Sequence, residues 1–225
     1  MKLARLKSKT TGAVRIVREN GLPGLAFVVG RVVLHPPMGR VEWFAILETE
    51  HDPSFPRLSP TWITDPADAA YLATLHGHPD DHAERLAHGV RCAALTNGSD
   101  RLIAYLWIAS GDHWNENGVE LSLDTDEVWA VDGFVAKESR GEAIHSRLFM
   151  GVMDELHEGG VRTVVSGVDL VNTKSLRSAA KRGARRTATV TMVRVGPYAL
   201  SCLRYADEHW RRRWGFGSVP VRVRR

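Results

Sequence analysis

A strand, a charged turn and a helix follow one another between Val128 and Phe149, and this stretch constrains the fold more than any other. An apolar run ends in a turn that contains Arg140 and Gly141, and an amphipathic helix begins directly afterwards. A helix that begins in this way presents unpaired backbone N–H groups at its positively polarised end. Because such an end binds anions, the sequence predicts a phosphate site at this connection.

Composition is typical of a globular protein and sets few further limits. The chain has 225 residues, of which 44% are hydrophobic, so it can build the core of one compact domain. The formal net charge of +4 comes largely from arginines near the C-terminus. A basic end of this size is more typical of a solvated surface than of a nucleic-acid or anionic-lipid site.

Neither a membrane segment nor a metal site is predicted. The longest apolar stretch, Leu22 to Leu34, is broken by a proline, two glycines and an arginine, and no secretory signal is apparent, so we expect a cytoplasmic protein. Cys92 and Cys202 lie far apart in apolar surroundings and resemble buried thiols. His78 and His82 are one helical turn apart, but no third ligand is fixed by spacing, which favours a polar helical surface.

The first third of the chain is ambiguous and the rest is regular. Lys9–Asn20 suits a short helix, Leu25–Leu34 a helix or a strand, and Val41–Glu48 a strand or a short helix. From residue 90 the pattern predicts a hairpin around Asn97-Gly98-Ser99-Asp100, then strand, helix, strand, helix and strand. We predict a further helix over Ala199–Trp214, followed by an edge strand or a tail.

This order predicts a mixed α/β (α+β) fold in a single domain, residues 1–225. We divide it into an N-terminal elaboration (1–89), a core (90–196) and a C-terminal helix with a basic tail (197–225).

Two segments of the core resemble the GNAT acyltransferase superfamily. The turn from Arg140 to Leu148 resembles that family's pyrophosphate-binding turn, Arg/Gln-x-x-Gly-x-Gly/Ala. The segment from Asn172 to Ala184 is similar to the family's Asn-x-x-Ser/Ala…Lys-x-Gly-Phe segment. The resemblance covers roughly residues 90–196, and the order of elements agrees with the family throughout.

The resemblance implies a central, mostly antiparallel sheet flanked by helices, with a splayed strand pair that forms the acyl-CoA cleft. It implies acetyl-CoA, or another acyl-CoA, as the donor. The residues that it assigns to cofactor binding are Phe134, Val135, Arg140, Gly141, Glu142, Ala143, Ile144, His145, Ser146, Asn172 and Ser175.

Three positions depart from the family's pattern. Ala143 stands where the turn has its central glycine, and we expect ordinary helical backbone there, which alanine tolerates. His145 replaces a glycine or alanine and can donate a hydrogen bond to phosphate when neutral or add charge when protonated. The family's frequent general acid is a tyrosine seven residues after the asparagine, and that position is Ala179 here.

Two carboxylates are candidates for removing a proton from an attacking amine. Asp132 lies within the apolar strand, where a charge is paired, solvent-facing or functional, and Glu127 lies at the strand's start. Pairing of Asp132 with an arginine is an equally good interpretation. Tyr105 and Tyr198 are weaker candidates for the missing acid.

The leading hypothesis is an acyl-CoA-dependent N-acyltransferase that acetylates an amine of a small molecule, with amino sugars as one acceptor class. The alternatives are a catalytically inactive GNAT-fold module that binds CoA, and a transferase of longer acyl or aminoacyl groups. The sequence leaves open whether the chain forms a homodimer.

Overall fold

The computed structural model describes residues 17–18, 22, 25–30, 39–111, 113–114, 119–121, 123–195, 198–205, 210–216 and 219–221. The expected helix at Lys9–Asn20 lies outside these residues except at 17–18, and so does the basic end at 222–225. Among the helices of the described part, none has the length and apolarity needed to cross a membrane.

The described residues form helices, strands and two short 3-10 turns, at Pro66–Asp68 and Lys137–Ser139. Residues 25–30 are helical (α1). The other helices are α2 (Ala69–Ala73), α3 (Pro79–Ala87), α4 (Ile144–Glu158) and α5 (Thr173–Lys181). The strands are β1 (Gly39–Glu50), β2 (Thr61–Ile63), β3 (Arg91–Thr96), β4 (Leu102–Ser110), β5 (His113–Trp114), β6 (Val119–Leu121), β7 (Glu127–Val135), β8 (Thr163–Asp169), β9 (Arg185–Val195), β10 (Tyr198–Tyr205), β11 (Trp210–Phe216) and β12 (Val219–Val221).

Nine of the strands form one sheet in the order β11-β10-β9-β1-β8-β7-β4-β3-β2, and β12, β6 and β5 form a second, small sheet. In the large sheet every pair is antiparallel except β7 and β8. The predicted mixed, mostly antiparallel sheet is therefore confirmed. The predicted hairpin is confirmed too, because Asp100 donates its N–H to the Asn97 carbonyl between β3 and β4.

The two parallel strands diverge along their length. They pair only from Glu127–Ala130 to Thr163–Ser166, although β7 continues to Val135 and β8 to Asp169. Beyond Ala130, β7 remains paired with β4 on its other side. The sheet therefore opens into a V between the carboxyl ends of these two strands, which is the splayed strand pair that the resemblance implies.

Strand β1 lies in the middle of the large sheet, between β8 and β9. Phe44 and Ile46 pack into the core on one face, while Ala45 and Leu47 pack on the opposite face. A strand that is covered on both faces has no polar alternation, which explains why its sequence also suited a helix. The sheet thus includes a strand from residues 1–89, which we had separated from the core as an N-terminal elaboration.

The prediction of a helix over Ala199–Trp214 is wrong. The described residues of this region belong to β10 and β11, and β10 pairs antiparallel with both β9 and β11. Each of these strands gains a full ladder of backbone hydrogen bonds from its neighbour, and such non-local pairing overrides local helix preference.

The helices cover both faces of the sheet. Leu72 of α2 and Leu86 of α3 join the core on one face. Leu148, Phe149 and Met153 of α4 join the core on the other face. Helix α5 packs through Ala179 against β1, in a smaller cluster with Ala45, Leu47 and Leu170. The V between β7 and β8 consequently has α4 and α5 beside it.

Candidate active site

An open cavity of about 910 Å³ lies at the V between β7 and β8, and we call it the cleft. Its walls come from the carboxyl end of β7, the turn before α4, the first turns of α4, the end of β8 and one side of α5. The basic side chains that line it are Arg140, Lys174, Arg177, Lys181 and Arg182, and the acidic ones are Asp132 and Asp169. Five cations against two carboxylates make the cleft suited to an anionic ligand.

The turn from Arg140 to Ala143, here called the phosphate turn, aims backbone amides at the cleft. The first N–H of α4 that bonds within the helix belongs to Arg147, which donates to the Ala143 carbonyl. The N–H groups of Ile144, His145 and Ser146 precede it and have no partner inside the helix. Arg140 Nε donates to the Val135 carbonyl over 3.1 Å, and this bond ties the turn to the end of β7.

The backbone of Ala143 corrects our expectation of helical geometry. Ala143 has φ 57° and ψ 20°, which is the left-handed conformation that glycine adopts without strain. A positive φ at this position favours the glycine that the family has there, and the alanine of this chain keeps the same left-handed conformation. Gly141, with φ 105°, supplies the other left-handed residue of the turn.

We expect Ala143→Gly to stabilise the protein by about 0.5–1 kcal/mol, because release of left-handed strain outweighs the added entropy of the unfolded glycine. Urea denaturation checks this value. The matched control is Ala70→Gly in the exposed part of α2, where the same change destabilises by roughly 0.5–1 kcal/mol. Equal signs for the two variants would contradict the assignment of strain to Ala143.

His145 lies against the backbone of β7 at Gly133. A Cβ added to Gly133 would stand 2.6 Å from His145 Nε2, so only glycine leaves room for the ring there. Burial and, to a smaller extent, the positive charge of Arg182 lower the pKa of His145 to about 4, although Asp132 opposes both. The imidazole is therefore neutral near pH 7, which excludes the protonated form as a source of charge.

Arg182 is a second buried polar side chain of the cleft. It is only 5% exposed, and its guanidinium lies 4.2 Å from the centroid of the Phe149 ring. It donates to the hydroxyls of Ser146 and Ser178 over 3.4 Å each. Burial lowers its pKa to about 10, so the guanidinium stays charged at neutral pH.

Asn172 and Ser175 begin α5 at the cleft. The Asn172 side-chain oxygen accepts the backbone N–H of Ser175 over 3.2 Å, which makes Asn172 the N-cap of the helix. Both residues line the cleft. Because the cap uses only the side-chain oxygen, the amide NH₂ of Asn172 stays available to a ligand.

Most of the residues that the sequence assigned to cofactor binding line the cleft together. Glu142, although within the phosphate turn, is not one of its lining residues. The members that do line it are Phe134, Val135, Arg140, Gly141, Ala143, Ile144, His145, Ser146, Asn172 and Ser175.

The two candidate proton acceptors occupy opposite ends of β7. Asp132 lines the cleft, and its carboxylate pairs with Arg85 of α3 at 3.4 Å. Asp132 thus pairs with an arginine, as one interpretation predicted, and it also lies at the cleft, where a proton acceptor is needed. Glu127 is buried at the start of the strand, where it accepts the backbone N–H of Asp124, and it does not line the cleft. Of the two candidates, only Asp132 therefore lies at the cleft.

No phenol replaces the family's tyrosine. Ala179 is buried against β1, and none of the four tyrosines of the chain, all described by the structure, lines the cleft. Tyr105 lies in the core and Tyr198 is half exposed on β10, so the two candidates for the missing acid both lie away from the cleft.

The histidines of α3 do not form a metal site with their neighbours. His78 accepts the N–H of Asp80 at the start of the helix, whereas His82 stacks on Trp107 with 5.6 Å between the rings. Among the described residues, no group of three potential ligands could hold a metal ion.

The sequence did not single out Ser178 of α5 and Arg182 at the end of that helix. Ser178 and Arg182 are one helical turn apart and face α4, where both contact Ser146. The spacing was a usable signal, but Lys181-Arg182 resembles any solvated basic pair at a helix end.

Comparisons with solved structures find proteins of similar fold. One is a protein named as a GNAT-family acetyltransferase from Novosphingobium aromaticivorans, which is 16% identical with a TM-score of 0.52 over 70% of this chain and 66% of the other. Another is a GCN5-related N-acetyltransferase from Sphaerobacter thermophilus, at 13% identity and a TM-score of 0.47, over 84% of this chain and 57% of that one. The chain thus spans less than two thirds of either protein.

No model of a protein family matches the chain, and no curated protein matches its sequence. The likeness to the Novosphingobium protein is therefore a likeness of fold. It agrees with the resemblance drawn from the phosphate turn and the Asn172 segment.

Proposed function

We propose that the chain is an acyl-CoA-dependent N-acyltransferase, and most simply one that moves acetyl from acetyl-CoA to the amine of a small molecule. The observation that carries this proposal is the cleft itself, where a helix N-terminus and an excess of cations meet the open edges of two splayed strands. A phosphate-bearing donor with a long amide-containing arm has chemistry that matches each part. Amino sugars remain one class of acceptor within the proposal.

In this proposal the phosphates of the donor lie on the phosphate turn. The N–H groups of Ile144, His145 and Ser146 donate to them, and the helix dipole favours their charge. The arm of the donor runs along β7 at Phe134 and Val135, whose edge toward β8 has no ladder partner. Amide groups of the arm hydrogen-bond that edge in the manner of an added strand, and Asn172 and Ser175 flank it from α5.

The reaction that we propose is a direct attack in a ternary complex. The amine nitrogen forms a bond with the thioester carbonyl carbon, the C–S bond breaks, and the thiolate leaves. Backbone N–H groups of the splayed strand stabilise the oxyanion that develops on the carbonyl oxygen. Asp132 accepts the proton that the amine loses and releases it to solvent, while the thiolate takes a proton from solvent water, since no tyrosine lines the cleft. The released proton neutralises the hydroxide that this water leaves behind.

Titration with acetyl-CoA in a calorimeter tests the donor assignment. We expect saturable binding, because the cleft presents amides and cations to the phosphates. Absence of binding at millimolar ligand would overturn the proposal.

Release of free thiol across a panel of amines tests turnover. We expect Asp132→Asn to lower the rate constant about 100-fold, the usual contribution of a general base, without weakening the binding of acetyl-CoA. Asp80→Asn is the control, because this carboxylate is 90% exposed on α3 and outside the cleft.

A second candidate function is a module that binds CoA without turnover. The specific observation in its favour is that a buried alanine, Ala179, stands where the family has its tyrosine, and that none of the four tyrosines lines the cleft. Tight binding of acetyl-CoA without thiol release, over the whole amine panel, supports this candidate over the transferase.

A further inference from the structure

Arg182 carries a buried charge that has no counter-ion among the described residues. Its side chain is almost wholly enclosed, and no carboxylate of the described part of the chain forms an ion pair with it. Its Nε is buried and has no hydrogen-bond partner. Burying a charge in this state is costly, and native proteins pair or hydrogen-bond such groups.

The groups around Arg182 satisfy only part of its donor capacity. A guanidinium has five N–H donors, and here one nitrogen, Nη1, serves both serine hydroxyls at 3.4 Å, which is long for a charged donor. The hydroxyls of Ser146 and Ser178 bond to each other at 2.8 Å. Each hydroxyl therefore has a partner without Arg182, so the two serines do not explain why a cation is buried between α4 and α5.

The position of the side chain supplies an explanation. Arg182, Ser146 and Ser178 all line the cleft, and Ser146 belongs to the first turn of α4, where unpaired amides point. A guanidinium, two hydroxyls and a helix N-terminus are all complementary to an oxyanion. The neighbouring His145 is neutral near pH 7, so Arg182 is the only cation of this group of side chains.

We infer that Arg182, Ser146 and Ser178 form a binding site for an oxyanion of the molecule that occupies the cleft. Within the proposed function, on which this inference rests, that oxyanion is either a phosphate of the acyl-CoA or the free carboxylate of a dicarboxylic acyl group. Both groups are oxyanions. Every acyl-CoA carries the phosphates, whereas only a dicarboxylic acyl-CoA carries the free carboxylate.

Binding measurements on Arg182→Met distinguish these sources. Acetyl-CoA and succinyl-CoA are titrated into the wild type, Arg182→Met and the control Arg162→Met, which removes the same charge at an exposed site outside the cleft. If the anion is a phosphate, Arg182→Met weakens both ligands at least tenfold. If it is a carboxylate, only succinyl-CoA weakens by that factor. Unchanged affinity for both ligands overturns the inference.

Thermal unfolding separates a binding role from a structural one. Because methionine removes an unpaired buried charge and leaves the two serines bonded to each other, the unfolding midpoint without ligand is expected to rise by about 2–4 °C. A fall in the midpoint of Arg182→Met, with an unchanged affinity of the folded Arg182→Lys for both ligands, overturns the inference. Arg182→Lys keeps the charge but lacks the planar fork, so we expect it to fold and to bind more weakly than the wild type.

A further probe keeps this inference separate from the proposed function. Inorganic pyrophosphate and succinate are tested for their ability to raise the unfolding midpoint of the wild type and of Arg182→Met. If the wild type binds neither acyl-CoA but one of these anions stabilises it through Arg182, the oxyanion site stands and the transferase proposal fails. If the wild type binds acetyl-CoA and Arg182→Met affects no ligand, the donor assignment of the proposed function stands and the oxyanion site fails. If no probe depends on Arg182, the inference is wrong.

Discussion

Replacing Gly151 by alanine is expected to lower the free energy of unfolding by about 2–3 kcal/mol, although alanine usually stabilises a helix interior by about 1 kcal/mol over glycine. Gly151 lies in α4, where a Cβ would stand 1.9 Å from the backbone oxygen of Leu58. The segment before β2 lies directly on the helix, since Leu58 donates its N–H to the Arg147 carbonyl. Asp154, one turn further on, pairs with His51 and Arg57 and holds the same segment.

The clash involves backbone, so a side-chain truncation does not relieve it. Leu58→Ala combined with Gly151→Ala should therefore be no more stable than Gly151→Ala alone in guanidinium denaturation. Gly98→Ala is the matched control, because its Cβ meets nothing within 4 Å. A Gly151→Ala variant as stable as the wild type would contradict the close approach of this segment to α4.

The fold could be predicted from the sequence where local signals decide the structure. The phosphate turn and α4 were visible because Gly141 marks the turn and the apolar residues of the helix recur at helical spacing. Strand β1 was ambiguous because both of its faces are buried, and burial on both faces removes the alternation that identifies a strand. Strand β10 depends on pairing with β9, and β11 depends on pairing with β10, which no local pattern encodes.

The residues of the site also fall into those that the sequence could identify and those that it could not. Family-like positions such as Arg140, Asn172 and Ser175 were accessible from motif and spacing, and they line the cleft. The left-handed backbone of Ala143 was not accessible, because alanine is the residue that best favours a helix. Nor was the burial of Arg182, which results from the packing of α5 against α4 and Phe149 rather than from its neighbours in sequence.

Replacing Gly133 by alanine is expected to weaken acetyl-CoA binding at least tenfold, through His145 rather than through any contact of its own. The new Cβ would lie 2.6 Å from His145 Nε2 and 3.2 Å from Leu106 Cδ1, so the imidazole must move. The cleft offers the ring the nearest free volume, because the ring already lines it beside the core side chain Phe149. A displaced ring occupies space that the proposed donor needs where β7 and β8 diverge.

A double-mutant cycle with His145→Ala tests this coupling without relying on turnover. In the wild-type background we expect Gly133→Ala to cost roughly 1–3 kcal/mol of unfolding free energy, the usual range for overpacking. In the His145→Ala background the methyl group has room, so most of that cost and most of the loss in acetyl-CoA affinity should disappear. Equal costs in both backgrounds would show that His145 does not fill the space above Gly133. Recovery of stability without recovery of affinity would show that the imidazole itself contacts the donor.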